Sequence, residues 1–161
     1  MEIIEFPGYI EEDKITIARQ FLIPEQLLEN GLDEDPIEFT DDALRLIIAS
    51  YTYEAGVRNL ERQIGAVLRK IATKKSESEE YPRIVNADLV TDYLGPAEFY
   101  PMTAEAKDEI GMATAIAWTE NGGEIMPVEV LVVAGKSNLQ ITGQIGEIMQ
   151  ESAQAALSYL K

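Results

Sequence analysis

The sequence lacks the two side chains that most often bind metals in proteins. Its 161 residues include no cysteine and no histidine. The absence of cysteine excludes disulfide bonds and thiolate metal sites, and the absence of histidine removes the commonest general base. A chain without cysteine is compatible with a reducing compartment, so we expect a cytoplasmic protein.

Basic residues are scarce as well. The chain has 13 lysines and arginines against 29 acidic residues, a net charge of −16. This charge repels phosphate backbones, so nucleic-acid binding would need a locally basic patch. The candidates share one segment: Arg58, Arg62, Arg69, Lys70, Lys74 and Lys75. Their spacing is more typical of the polar face of one helix, which makes nucleic-acid binding the less favoured interpretation.

Long hydrophobic runs are also missing. No apolar stretch reaches the roughly 20 residues of a membrane-spanning helix, and Met1 leads directly into charged residues rather than into a signal peptide. The hydrophobic fraction of 46% is nevertheless sufficient for a core. We therefore expect one ordinary domain or two small ones, with no membrane partner.

Helical spacing and capping residues predict a mainly α-helical region over residues 1–95. Thr40 and Asn86 stand where N-caps are expected, and Gly31 and Gly95 stand where helices end. Two short extended segments can pair with each other beside the helices. We predict helices at about 11–22, 24–29, 41–51, 56–75 and 87–94, and strands at 37–39 and 83–85.

The pattern changes after Gly95. Residues 96–109 contain two prolines and no sustained periodicity, which predicts a linker. Residues 108–161 are predicted to be α/β, with a β-meander followed by one helix. Its strands are expected at 110–118, 124–133 and 139–142, and its helix from about 145 onwards. Because both faces of the strands carry apolar residues, one helix leaves a face uncovered, and the domain is predicted to be incomplete.

One residue of the fourth predicted helix does not fit a simple core helix. Arg58 falls in the first turn, where backbone amides already present partial positive charge. The arginine is either a solvated side chain that Glu54 partly offsets or the completing group of an anion site. The residues alone favour the first interpretation and leave the second open.

Three further patterns resemble sites. The GKS triplet at 135–137 lacks the glycine that a phosphate-binding loop requires at position 130. Ser152 and Lys161 would point in opposite directions from one helix, so they do not form a Ser–Lys pair. Glu129 shares a strand face with apolar residues and is predicted to be buried, either in a structural pair or lining a site. The residues reveal no catalytic set and no metal site.

Four stretches resemble the bacterial Lon family of ATP-dependent serine proteases, in family order. FPGYIEEDKITIARQFLIPEQLLENGL resembles the start of the helical lid of its AAA+ ATPase module, and EAGVRNLERQI resembles its sensor-2 helix. WTENGGEIMPVE and QITGQIGEIMQESAQAALSYL resemble the first half of its proteolytic domain. The resemblance implies a lid over residues 1–95, a linker over 96–109, and a truncated N-terminal part of the proteolytic domain over 110–161.

The resemblance also implies roles for three residues. Arg58 matches the sensor-2 arginine, which reaches the γ-phosphate of ATP held with magnesium by the neighbouring large ATPase subdomain. Trp118 and Glu129 match positions near the proteolytic site, where they would support it. The family's Walker motifs and its catalytic serine and lysine match nothing in this sequence. We therefore expect no catalytic residue, no tightly bound cofactor and no activity in this chain alone.

The function that the resemblance implies is degradation of misfolded and regulatory proteins. The expected partners are the AAA+ large subdomain, the rest of the protease domain and further copies in a homohexamer. The alternative from another class is a non-enzymatic helical module that docks protein or DNA.

Overall fold

The structure, a computed structural model, describes residues 8–100, 109–119, 122–135 and 138–160. The chain divides into two units, Met1–Glu129 and Val130–Lys161. The elements in chain order are α1 (Glu11–Ile17), a π-helical turn (Ala18–Leu22), α2 (Ile23–Glu29), β1 (Glu38–Phe39), α3 (Asp41–Ser50), α4 (Arg58–Ser76), β2 (Ile84–Val85), α5 (Ala87–Leu94), β3 (Met112–Thr119), β4 (Gly122–Glu129) and α6 (Glu147–Leu160).

The core of the first unit forms around α4, the longest helix among the described residues. This helix contacts α2, α3 and α5. Its fully buried side chains recur every three or four positions because 3.6 residues make one turn: Leu60, Ile64, Val67, Leu68 and Ile71. The predicted fold class, mainly helical at first and α/β afterwards, is confirmed.

Four residues were predicted to start or end helices, and the structure confirms all four roles. Thr40 Oγ1 accepts a hydrogen bond from the amide of Ala43 at 3.2 Å, which caps α3. Asn86 caps α5 in the same way, at 2.9 Å. Gly31 and Gly95 end α2 and α5 with φ angles of +67° and +87°, a conformation that glycine adopts without the steric cost of a side chain.

The two short strands pair with each other, as the sequence predicts, and the structure shows that the pairing is parallel. Glu38 lies opposite Ile84, and Phe39 lies opposite Val85. Phe39 and Val85 are buried, so the pair also contributes to the core. The amide of Thr40 continues the ladder by donating to the carbonyl of Val85 at 3.0 Å, which fixes the start of α3 beside β2.

The first two predicted helices form one continuous helical run from Glu11 to Glu29, interrupted only by the π-helical turn. Pro24 has no amide hydrogen, and its ring crowds the carbonyl four residues earlier, at Gln20. The wider π turn immediately before the proline accommodates this crowding without ending the helix. The prediction of two separate helices is therefore wrong in this detail.

The C-terminal strands differ from the prediction. β3 and β4 form an antiparallel hairpin in which Met112 pairs with Glu129 and Thr119 with Gly122. The predicted second strand, 124–133, thus starts earlier and stops at Glu129. The predicted third strand, 139–142, is wrong, since these residues are not in a strand. A short extended segment needs a neighbour to accept its backbone hydrogen bonds, and this segment pairs with none of the described residues.

The apolar residues after β4 remain uncovered. The predicted helix is present as α6, but none of its residues is buried. Ile148, for example, is 84% exposed. Other exposed apolar side chains in this part include Val130, Leu131, Val132, Val133, Tyr159 and Leu160. The α/β region thus contributes no residue to the buried core of the described chain.

Candidate functional site

The N-terminus of α4 carries an internal carboxylate cap. The helix begins at Arg58, and the preceding Val57 makes no side-chain capping bond. Glu54 supplies the acceptors instead: its Oε2 accepts the amide of Asn59 and its Oε1 the amide of Leu60, each at 2.9 Å. First-turn amides have no acceptor within the helix and favour negative charge. Glu54 therefore stabilises the start of α4.

Arg58 stands exposed at this terminus. Within the described residues its guanidinium has no hydrogen-bond or ion-pair partner. Because Glu54 already occupies the amides of Asn59 and Leu60, a further anion here would meet the guanidinium rather than those amides. Glu54 therefore neutralises the amides of the helix terminus rather than the arginine, and the guanidinium of Arg58 remains accessible.

A third group at this terminus escaped the sequence analysis. Lys14, from α1, donates through its Nζ to the carbonyl oxygen of Glu54. Only 6% of Lys14 is exposed. Burial lowers the pKa of Lys14 below its usual range, while the negative charge of Glu54 acts in the opposite direction. No sequence pattern indicates this bond, because its acceptor is a backbone atom 40 positions away.

A cleft of about 540 Å³ runs beside α4. Its walls contain two exposed arginines, Arg62 and Arg69, and the rings of Tyr53 and Phe99, which stack with centroids 5.7 Å apart. The remaining lining residues are Tyr51, Thr52, Asn59, Gln63, Ala66 and Glu98. Arg58 is not among the residues that line this cleft.

The lysines of α4 contact the protein itself. Lys75 forms an ion pair with Asp35 at 2.6 Å, and Lys70 donates to the carbonyl of Tyr93. Lys74 lies 5.6 Å from the centre of the Tyr93 ring, within reach of a cation–π interaction. These contacts support the interpretation of the basic residues as the polar face of a helix rather than as an open nucleic-acid patch.

The hairpin does not bring Trp118 and Glu129 together. Trp118 pairs with Gly123 near the turn, whereas Glu129 pairs with Met112 at the open end. Six residue pairs at about 3.4 Å each separate them by roughly 20 Å along the ladder. Glu129 is exposed, so the prediction that it is buried is wrong. β4 ends at Glu129, so the apolar residues Leu131 and Val133, which were expected on the same strand face, are not in the strand.

Metal binding and membrane spanning can also be assessed over the described ranges. No cluster of three or more acidic residues there has the geometry to hold a metal ion. No helix in that part of the chain has both the length and the apolar character needed to cross a membrane.

Comparison with known proteins assigns the two parts of the chain. Residues 28–84 match the model of the Lon protease AAA+ ATPase lid domain, and residues 84–161 match that of the Lon protease (S16) C-terminal proteolytic domain. The chain thus joins an ATPase lid to part of a proteolytic domain. It belongs to the Lon protease family.

The two models meet at residue 84, within β2, whereas the sequence predicts a boundary at 95. α5, which lies between these positions, packs against α3 and α4.

Individual relatives match along the whole chain. Lon protease 2 of Herpetosiphon aurantiacus is 53% identical over 161 residues, and Lon protease of Dictyoglomus thermophilum is 55% identical over 163 residues. Each match covers 100% of this chain and 20% of the relative, so the chain spans about a fifth of the length of the curated relatives it matches. A solved structure, the Bacillus subtilis Lon protease SSD domain, is 38% identical with a TM-score of 0.47, over 58% of this chain and 98% of that one.

Proposed function

We propose that this chain acts as part of an ATP-dependent serine endopeptidase that degrades misfolded and regulatory proteins in the cytoplasm. Its membership of the Lon family supports a protease as the whole protein. The large ATPase subdomain and the rest of the protease domain would be its immediate partners, within a homohexamer. The sequence lacks the family's catalytic serine and lysine, so this stretch alone should cleave no peptide and hydrolyse no ATP.

The observation that carries the proposal is the exposed guanidinium of Arg58 at the start of α4. An arginine can bind a phosphate with two parallel charge-assisted hydrogen bonds, provided that its donors are not already used. Arg58 meets this condition within the described structure. We propose that it binds the γ-phosphate of ATP, which the large subdomain would hold with magnesium. Hydrolysis of ATP, which transfers the γ-phosphoryl group to water, would drive the conformational cycle of the ATPase. Through its bond to the γ-phosphate, Arg58 would make the position of the lid depend on whether ATP is bound.

The coupling to the protease part would pass along the chain after α5. The amides of Glu98 and Phe99 both donate to the carbonyl of Ser50, at 2.9 and 3.0 Å, and the Tyr51 hydroxyl donates to the carbonyl of Gly95 at 2.6 Å. The start of the segment 96–109 is therefore fastened to the C-terminal end of α3. A rotation of the lid would carry this segment with it. Residues 101–108 lie outside the described part.

Trp118 and Glu129 are proposed as supports of the proteolytic site. Because they stand at opposite ends of the hairpin, they would support it from two separate places. Replacing one should leave the contribution of the other unchanged, which a double-mutant comparison of peptide cleavage measures.

The test of the proposal replaces Arg58 in a full-length Lon protease that carries these 161 residues in the corresponding place. Arg58→Ala should lower ATP hydrolysis and ATP-dependent degradation of an unfolded protein by roughly tenfold or more, since a phosphate-binding arginine is lost. Arg62→Ala, one turn further along, is the matched control and should leave both rates close to the parent values. Unchanged ATP-dependent turnover in Arg58→Ala would overturn the proposal.

A further inference from the structure

The loop between α3 and α4 is connected to two helices through one residue. The carboxylate of Glu54 accepts the amides of Asn59 and Leu60 in the first turn of α4. Its backbone carbonyl accepts the ammonium of Lys14 from α1. Glu54 thus links α1 to the turn of α4 in which Arg58 stands.

A second bond fastens the same two segments. The amide of Tyr9 donates to the carbonyl of Ala55 at 2.9 Å. Residues 9 and 14 therefore bind residues 55 and 54, so the start of α1 and the loop before α4 are held side by side. The loop has no helix or strand of its own between Thr52 and Val57, and these bonds give its backbone a defined path.

Lys14 is the only charged side chain in the buried set of the described residues. Removing an ammonium from water is costly unless the protein supplies compensating partners. An apolar side chain would fill the same space beside the core residues Ile15 and Ala18 without that cost. General packing therefore does not explain a lysine here, whereas the bond to the Glu54 carbonyl does.

We propose that Lys14 is a positioning residue for Arg58. It fixes Glu54, Glu54 fixes the first turn of α4, and the guanidinium of Arg58 thereby projects from a backbone of set position and direction. This inference rests on the proposed role of Arg58 towards ATP. Lys14 itself would not bind the nucleotide, because it is buried and its ammonium is bonded to Glu54.

The first experiment measures amide hydrogen exchange in this chain. Lys14→Met removes the ammonium but keeps a long, flexible apolar side chain. The amides of Asn59 and Leu60 should exchange roughly tenfold faster, while those of Ile64 and Val67 in the middle of α4 keep their rates. Glu54→Gln, which weakens the cap but preserves the carbonyl that Lys14 binds, should accelerate the same two amides.

The matched control for this experiment is Lys75→Met, at the other end of α4. It breaks the ion pair with Asp35 and should leave the exchange of Asn59 and Leu60 unchanged. If Lys14→Met leaves these two amides as slow as in the parent, or if Lys75→Met accelerates them equally, Lys14 does not position the start of α4.

The second experiment is a double-mutant cycle on ATP hydrolysis in the full-length protease. Lys14→Met should lower kcat roughly tenfold at an unchanged thermal midpoint, and adding it to Arg58→Ala should cause no further loss, because both act through one guanidinium. Lys75→Met should combine with Arg58→Ala additively. An effect of Lys14→Met that also adds to Arg58→Ala would refute positioning. A silent Arg58→Ala would instead refute the nucleotide role itself.

Discussion

Gln26 of α2 lies directly against Gly65 of α4. A Cβ placed on Gly65 would stand 2.3 Å from the Gln26 Oε1 atom and 3.2 Å from its side-chain carbonyl carbon. Gln26 is 6% exposed and donates to the Glu29 carboxylate at 2.6 Å, so it has little freedom to withdraw. Glycine at position 65 is therefore what allows α2 and α4 to pack this closely.

The first prediction follows from this contact. Gly65→Ala gains about 1 kcal/mol of helix propensity, but overpacking costs about 1–3 kcal/mol. We expect net destabilisation of about 1 kcal/mol, measured as the free energy of unfolding in urea. A Gln26→Ala background removes the nearest atom and leaves only Arg69 Nη1, 3.0 Å away at the end of an exposed, flexible side chain that can withdraw, so the same substitution should be stabilising there. The same sign in both backgrounds would show that Gln26 does not limit this position.

The second prediction concerns the cap of α3. Thr40 Oγ1 accepts the Ala43 amide at 3.2 Å and lies 3.3 Å from the carbonyl of Val85, to which it donates. Thr40→Ala should cost about 1–2 kcal/mol of unfolding free energy, whereas Thr40→Ser should retain most of it. Thr91→Ala, which removes an exposed hydroxyl within α5, is the control and should change stability by less than about 0.5 kcal/mol. Equal losses for both alanine variants would argue against a capping role.

The third prediction concerns acid stability. The hydrogen bond from Lys75 lowers the pKa of Asp35 most strongly, and that from the Tyr81 hydroxyl, at 2.7 Å, acts in the same direction. A carboxylate with a lowered folded-state pKa stabilises the fold above its unfolded value of about 4, and this contribution is lost as the pH falls through the folded-state pKa.

Comparison of the parent with Asp35→Asn tests this effect. The parent should have the higher urea midpoint above about pH 5, and the difference should shrink towards zero at about pH 2. Asp42→Asn, an exposed carboxylate for which no ion pair is found among the described residues, is the control. A gap between parent and Asp35→Asn that is independent of pH would contradict the assigned cause.

The fourth prediction is that the chain unfolds in two steps. Among the residues that the structure describes, every member of the buried core lies between Ile15 and Val90, and α6 has no buried residue. The helical part should therefore keep its structure at temperatures where the C-terminal part has lost it. Limited proteolysis should cut within 130–160 well before 11–94, and calorimetry should resolve separate transitions. One cooperative transition of the monomer would contradict this expectation.

The helical part was largely predictable because its signals are local. Thr40, Asn86, Gly31 and Gly95 act on their immediate neighbours, so each could be assigned from the residue and the pattern beside it. The buried stripe of α4 follows from helical periodicity in the same way. The sequence placed Glu54 near the start of α4, but it did not show that the Glu54 carboxylate accepts two amides there instead of pairing with Arg58.

The features that were missed depend on distant parts of the chain. Lys14 binds a backbone carbonyl, which leaves no mark on the sequence. A proline such as Pro24 can either end a helix or be accommodated by a wider turn. The choice depends on how the helical segments before and after it pack against the core, which the local sequence does not show. The residues at 139–142 have strand character, but a strand forms only where a partner is available. Glu129 was expected to be buried because apolar residues follow it at strand spacing, but burial also needs a layer that covers that face.

The parallel pair of β1 and β2 has a consequence for loop closure. Together with the bond between Asp35 and Tyr81, which are 46 positions apart, it closes α3 and α4 into a ring held by non-covalent bonds. Closing a ring costs entropy that grows only with the logarithm of its length, about 0.6 kcal/mol for each doubling. The exposed residues 77–80 belong to this ring. Insertion of several residues at this point should therefore cost little free energy and should retain both the strand pair and the helix that presents Arg58.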